Sequence, residues 1–268
     1  MKNNIKTIIS FLFIILSALF ILTPLHSGEQ ERPAVHALSL KTAFLNPNFS
    51  DPLVTPFHTH GLGAGLELAY NLRMPSFTLD AGLKGGGGKL YSGNSNFYDH
   101  DDFFGTVSFY INTAWRRALI EEKAYLLAGL RTEYQAELYL LSHIDSYNWN
   151  GDLSFLPFAG LEYDFPRGRL TTSLAFSLFS LVNRPPWTIY DDDLDDRMST
   201  SPLSVLFRGD PAGINKYFRM VYDLHWEAGL SRHFLLITGG SFQYIRTTLP
   251  QEAKFLTASA DLGVRYVF

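Results

Sequence analysis

Acidic and histidine side chains at alternate positions are the residues of this chain best suited to chemistry. Asp99 and Asp101 are one residue apart in the polar segment YDHDD, and Asp223, His225 and Glu227 alternate in FRMVYDLHWEAGL. A carboxylate pair can hold and activate a water molecule, whereas carboxylates and an imidazole at alternate strand positions can coordinate a metal. Which chemistry applies depends on the elements that position these groups.

Residues 218–230 have the two-residue period of a β-strand with one polar and one apolar face. Asp223, His225 and Glu227 share the polar face, opposite Tyr222, Leu224 and Trp226. The same division occurs at 124–140 and at 254–268. We therefore interpret the acid–histidine–acid series as one wall of a polar lumen. A metal site completed by ligands from other strands is the alternative.

Long alternating segments and turn signals predict an all-β fold, a transmembrane antiparallel up-and-down β-barrel of about ten strands. The predicted strands are 35–46, 57–72, 76–90, 103–116, 123–140, 152–165, 169–182, 217–230, 234–247 and 254–268. Short connections at 73–75, 117–122, 166–168 and 231–233 alternate with longer ones at 47–56, 91–102, 141–151 and 183–216. The doubled glycine in 234–247 predicts a β-bulge.

The N-terminus predicts export. Lys2 and Lys6 precede the apolar stretch 8–22, as in a secretory signal, so residues 1–28 are expected to be a signal peptide and 35–268 the barrel, with a long outer loop at 183–216. The absence of cysteine excludes disulfides and a lipidated cysteine, and the net charge of −4 argues against a nucleic-acid partner.

The barrel pattern predicts residence in the outer membrane of a Gram-negative-type bacterium, in contact with lipid and lipopolysaccharide. The final residue Phe268, which follows alternating apolar positions in the last strand, resembles the C-terminal signature that the barrel assembly machinery receives. Aromatic residues near the turn ends are expected to form an interfacial girdle. These residues are Tyr70, Trp115, Tyr163, Trp226 and Tyr266.

The inward faces of the predicted strands carry many charges of both signs. The predicted lumenal charge network consists of Arg131, Glu133, Glu137, Arg219, Asp223, His225 and Glu227. A ten-stranded barrel is only modestly wider than an eight-stranded one, whose side chains fill its interior. We therefore expect paired charges to plug most of the bore.

In its barrel layout the chain resembles the omptin family, ten-stranded outer-membrane endoproteases with an active site at the extracellular rim. Asp99 and Asp101 match the family's Asp-x-Asp pair in spacing and loop, and MPSFTLDAGLKG and PFAGLEYDFPRGRLTTSLAFS are similar in layout. The resemblance implies that this pair is catalytic. The fourth outer loop departs from the pattern, because no histidine occurs between 184 and 224. His58, His60 and His100 are the candidates for the missing base.

The sequence thus favours a structural or surface-interaction barrel with a plugged lumen, polar surface loops and no cofactor. The acidic segments 98–102 and 190–198 are expected to be solvated, or to associate with divalent cations or lipopolysaccharide. An omptin-like rim endoprotease and a small channel of porin type are the two alternatives.

Overall fold

Antiparallel pairing organises the whole described chain. The computed structural model describes residues 34–52, 55–92, 102–120, 123–141, 146–184 and 209–268. Within these ranges no helix is long and apolar enough to cross a membrane. The described strands are β1 Val35–Asp51, β2 Thr55–Arg73, β3 Phe77–Ser92, β4 Phe103–Ile120, β5 Ala124–Leu141, β6 Ser146–Phe165, β7 Gly168–Phe176, β8 Phe179–Asn183, β9 Asp210–Gly213, β10 Tyr217–Gly229, β11 Phe234–Thr247 and β12 Ala253–Val267.

The sheet closes on itself. Hydrogen-bonded neighbours follow the order β5-β4-β3-β2-β1-β12-β11-β10-β7-β6. β5 then pairs with β6 from Ala124 opposite Tyr163 to Leu141 opposite Ser146, which completes the ring. Ten of the described strands therefore form a closed up-and-down barrel, as predicted. In a closed sheet every strand has two neighbours, so the backbone polar groups are satisfied without water.

Two barrel strands are interrupted near one end. The predicted strand 169–182 is divided into β7 and β8, and both pair with β6. β9 pairs with β8 and precedes β10, with the turn residues 214–216 between them. β9 lies within the predicted loop 183–216, so part of that loop extends the barrel wall.

The two ends of the barrel differ. At the turn end β2 is followed by β3, β4 by β5, β6 by β7 and β10 by β11, and at the loop end β1 is followed by β2 and β5 by β6. The predictions of long connections at 47–56 and 141–151 are wrong, because pairing continues to Asp51 in β1 and starts again at Ser146 in β6.

Strand length explains this error. β6 has 20 residues, or about 66 Å of extended chain, and a tilt of about 40° leaves roughly 50 Å along the barrel axis. The lipid-facing apolar band of such a barrel is only about 25 Å tall. The loop-end parts of the strands therefore extend beyond the lipid, where polar residues such as Asn48 and Asn150 occur within paired strand.

The predicted bulge in 234–247 is also wrong. β11 pairs in unbroken register with both β10 and β12. A Cβ atom added at Gly239 would collide with the carbonyl of Leu224 and the ring of His225. The glycine is therefore needed for close approach of β10. Register shifts occur elsewhere in the described sheet, at Phe49/Asp51 and Ala118/Ile120.

Apolar side chains cover the outside of the barrel. Leu40, Leu66, Leu83, Leu161 and Leu262 are all exposed, while charged residues next to them in sequence turn inward. Near the turn end, aromatic rings lie on the same outer face: Tyr163 contacts Phe165 at 4.5 Å between ring centroids, and Phe165 contacts Trp226 at 5.1 Å. The surface thus has an apolar belt bordered by aromatic residues, as lipid contact requires.

The apolar belt predicts that the stability cost of an outward arginine depends on its depth in the bilayer. Leu66→Arg, in the middle of β2 with 60% of the residue exposed, should destabilise the barrel in lipid vesicles by about 2–4 kcal/mol, because arginine is costly at the bilayer centre. Leu119→Arg, equally exposed at 57% but at the turn end, is the matched control and should cost about 0–1 kcal/mol. Urea unfolding measures both. Equal costs would contradict the assignment of the belt.

Candidate functional site

The lumen near the turn end is occupied by a carboxylate surrounded by arginines. Glu162 of β6 accepts hydrogen bonds from Arg73 Nη2 at 3.0 Å and from Arg116 Nη2 at 2.6 Å. Arg169 lies 3.4 Å from the same carboxylate and also pairs with Asp164. Side chains from four strands therefore meet at one buried group, which ties this end of the barrel together.

A second group of ion pairs crosses the middle of the lumen. Lys41 Nζ lies 2.8 Å from Glu67 Oε1, and the hydroxyl of Tyr110 donates to the same oxygen at 2.7 Å. His225 Nε2 lies 3.3 Å from Asp261 Oδ2, and Lys41 Nζ lies 3.8 Å from the same oxygen. Polar groups of β1, β2, β4, β10 and β12 are thereby connected.

Arg219 is the centre of the third group and is 0% exposed. Its guanidinium contacts Glu133 at 2.9 Å and Asp152 at 3.2 Å, and it donates to Gln135 Oε1 at 2.6 Å and to Gln243 Oε1 at 2.9 Å. Arginine presents several donors in a planar fork, so one side chain can bind this many acceptors.

Arg131 extends this third group across the barrel. Its Nε donates to Glu133 at 2.7 Å and its Nη1 donates to Asp223 at 3.0 Å. Glu133 therefore lies between two guanidinium groups. The pairs Arg131–Asp223 and Arg219–Glu133 both connect β5 with β10, strands that are not neighbours in the sheet.

An apolar cluster lies in the lumen on the loop-end side of the ion pairs. We call this cluster the apolar cap. Tyr139 contacts Phe49 at 4.7 Å and Phe255 at 6.3 Å between ring centroids. The buried members of the cap are Phe49, Leu90, Phe104, Tyr139, Leu141, Val182, Ala212, Tyr217, Ile245, Ala253 and Phe255.

Glycines of β2 and β3 make room for the cap. A Cβ atom at Gly63 would lie 2.7 Å from Cζ of Phe104, and one at Gly86 would lie 2.7 Å from Cδ1 of Leu45. Such distances are far below ordinary carbon contacts. Gly86 belongs to the run KGGGGKL, so part of this run serves to admit a large side chain from β1, two strands away in the sheet.

The described lumen contains a pair of cavities that share part of their lining. One of about 180 Å³ lies toward the turn end and one of about 130 Å³ lies toward the loop end. Five side chains line both cavities, and we call them the septum: Glu67, Lys84, Arg131, Asp223 and His225. The loop-end cavity also borders Glu137 and Tyr139.

The acid–histidine–acid series does not converge on a common point. Asp223 pairs with Arg131, His225 with Asp261, and Glu227 with Arg265. Throughout the described residues, no group of three His, Asp or Glu side chains is arranged to hold a metal ion. The three residues line the lumen wall, each with its own partner from another strand.

The predicted catalytic aspartates, Asp99 and Asp101, lie outside the described residues, as does His100. Their role remains a prediction. His58 and His60 are described, and they alternate with the inward Thr59 on β2. His60 stacks on Tyr91 at 5.5 Å between ring centroids. These two histidines therefore share the outward face with Leu62 and Leu66, away from the lumen.

Sequence reasoning missed the cap and one ion pair beyond it. Arg184, at the end of β8, pairs with Asp51 and donates to the carbonyls of Leu249 and Gln251 at 3.1 Å each. The signal was present, because the inward alternation of β1 continues from Lys41 through Phe49 to Asp51. Because the predicted strand ends at residue 46, Phe49 and Asp51 were not assigned to its inward face.

Comparison with known proteins gives a structural likeness only. No protein-family model matches the sequence, and no curated protein matches it. The structure is similar to the outer membrane protease OmpT from Escherichia coli, with a TM-score of 0.52 at 12% identity over 90% of this chain and 99% of that chain. The translocator domain of the autotransporter NalP from Neisseria meningitidis gives 0.43 at 12% identity over 99% and 98%.

The chain has the fold of an outer-membrane β-barrel. Another similar structure is that of Ail, the attachment invasion locus protein of Yersinia pestis, with a TM-score of 0.36 at 10% identity over 86% of this chain and 99% of that chain. At such identities the likeness concerns the fold and not the activity. Together with this fold, the closed sheet and its apolar belt indicate that the protein resides in the outer membrane of a Gram-negative-type bacterium.

Arg219 provides a test of the lumenal network. Arg219→Met should lower the free energy of unfolding by about 3–5 kcal/mol, because Glu133 and Asp152 would lose a buried positive partner. Arg246→Met is the control, since Arg246 has a side chain 53% exposed and a surface pair with Glu252. That change should cost less than about 1 kcal/mol. Urea titration of the refolded variants compares them, and similar losses would argue against a network centred on Arg219.

Proposed function

We propose that this protein is an integral outer-membrane barrel whose lumen is closed and whose function lies on its outer surface, as a structural or surface-interaction protein. The observation that carries this proposal is the presence in the lumen of the apolar cap and of the ion pairs of Arg131 and Arg219. If the lumen is closed, binding partners contact the surface at the loop end and do not enter the barrel.

The two cavities have volumes of about 130 and 180 Å³. Each has room for several water molecules, since one water occupies about 30 Å³ of the liquid, so the proposed closure rests on the side chains between the cavities and not on a dry lumen. The septum lies between them, and its pair Arg131–Asp223, at 3.0 Å, joins β5 to β10, which are separated in the sheet by β6 and β7. The cap lies between the loop-end cavity and the mouth. A hydrated ion passing through would have to displace both layers.

The outer wall supports contact with anionic lipid. Arg246 and Lys254 are exposed and lie opposite each other on β11 and β12 near the loop end. Phosphate groups of lipopolysaccharide fit such cationic side chains. Phe268, Tyr266, Val264 and Leu262 are exposed along the outer face at the end of the chain, which supports docking to the barrel assembly machinery.

Conductance tests the closed lumen. The refolded barrel in a planar lipid bilayer should show no steady current steps. A variant that removes both layers, Phe49→Ala, Tyr139→Ala, Phe255→Ala and Arg131→Ser together, should conduct, because it deletes the aromatic rings of the cap and the cross-lumen pair. Heat-dependent gel mobility establishes that each sample is folded.

Two outcomes would favour a different function. Steady ohmic steps from the unaltered protein would favour the small channel. Cleavage of a basic reporter peptide by the folded barrel in lipopolysaccharide-containing micelles, lost in Asp99→Ala/Asp101→Ala, would favour the rim endoprotease. Absence of both activities is the result expected for a surface-interaction barrel.

A further inference from the structure

The group of charges around Arg219 contains more acids than bases. Four carboxylates, Glu133, Glu137, Asp152 and Asp223, accompany the two guanidinium groups of Arg131 and Arg219. All four acids lie on the inward faces of β5, β6 and β10. An uncompensated charge in a poorly hydrated interior is costly, so two excess negative charges call for a counterion or for proton uptake.

Glu137 is the carboxylate without a basic partner. Its Oε1 accepts a hydrogen bond from Gln135 Nε2 at 2.6 Å, and its Oε2 accepts one from the hydroxyl of Tyr139 at 2.6 Å. Both donors are neutral. In the part of the chain that the structure describes, no lysine, arginine or histidine forms an ion pair with Glu137, although the residue is buried and borders the loop-end cavity.

An independent feature lies directly opposite Glu137. Asn150 is its cross-strand partner on β6 and is 3% exposed, yet its Oδ1 has no hydrogen-bond partner among the described residues. Asn148, the next inward residue of β6, is 1% exposed, and neither atom of its amide group has a partner within the same ranges. Buried amide oxygens are rarely left without a donor or a cation.

We propose that Glu137, Asn150 and Asn148 form a binding site for one Ca²⁺ ion in the lumen, beside the apolar cap. Carboxylate and amide oxygens are the ligands that a hard cation prefers, and Ca²⁺ takes six to eight of them in flexible geometry. Glu137 borders the loop-end cavity, from which water can complete the coordination. A divalent ion also balances the excess of two negative charges around Arg219.

Protonation of Glu137 is the competing explanation of the same charge count. A protonated carboxyl group would donate one hydrogen bond and reduce the excess charge without any ion. It would leave Asn150 Oδ1 unpaired unless the new donor turned toward it. The two explanations differ in whether the barrel binds calcium at this position, and this difference can be measured.

Calcium binding by the full chain is the direct test. The refolded, chelator-treated barrel in detergent micelles is dialysed against radioactive Ca²⁺, and bound ions per chain are counted. Glu137→Gln should bind one ion fewer than the unaltered protein, and so should Asn150→Ala. Glu252→Gln, which alters a 53% exposed acid near the loop end, is the matched control and should leave the number unchanged. The subtraction removes any ions held by the acidic surface segments.

A second variant should raise the calcium affinity instead of lowering it. Asn150→Asp adds a carboxylate beside Glu137, so calcium affinity should rise about tenfold or more, as ligand charge increases. Its melting temperature should fall in chelator, and the rise on adding Ca²⁺ should exceed that of the unaltered protein. Equal ion counts for Glu137→Gln and the unaltered protein would overturn the site. So would a melting temperature of Asn150→Asp that is lowered equally with and without Ca²⁺, which is the result expected for protonation alone.

Discussion

A peptide group in lipid has no water to bond, and this constraint determines the architecture of the chain. Each strand must have two neighbours, so the sheet closes where β5 meets β6. Closure divides every strand into an outward face and an inward face, because successive side chains point in opposite directions. Leu66 and Glu67, adjacent in sequence, thus meet lipid and lumen respectively.

The inward faces then impose a second requirement. Charges such as Arg219 and Glu133 cannot reach lipid headgroups or bulk water, so they are stable only when paired across the lumen. The ion pairs join strands that are not neighbours in the sheet, and the apolar cap lies in the lumen above them. The lumen therefore contains a polar layer below an apolar one.

The alternation of polar and apolar residues along each strand predicted the fold and which side chains point into the lumen, since this alternation depends only on local backbone geometry. It could not predict that Asp223 pairs with Arg131, because ring closure decides which strands face each other. Loop lengths were wrong where polar residues such as Asn148 and Asn150 belong to strand beyond the lipid. The cap was missed because Phe49 lies past the predicted end of its strand. Asp99 and Asp101 lie outside the described residues, so their proposed chemistry remains open to experiment.

Some ion pairs of the lumen join residues that are far apart along the chain. Arg131 and Asp223 are 92 residues apart, and Arg73 and Glu162 are 89 apart. Some of these pairs form within one hairpin, as Lys41 and Glu67 do, but Arg73 and Arg219 have their acids on strands that are not their neighbours in the sheet. Such charges gain their partners only when the barrel closes, so closure and the neutralisation of this part of the interior coincide. The physical consequence is a cooperative step in assembly, in which several strands of the chain come together at once.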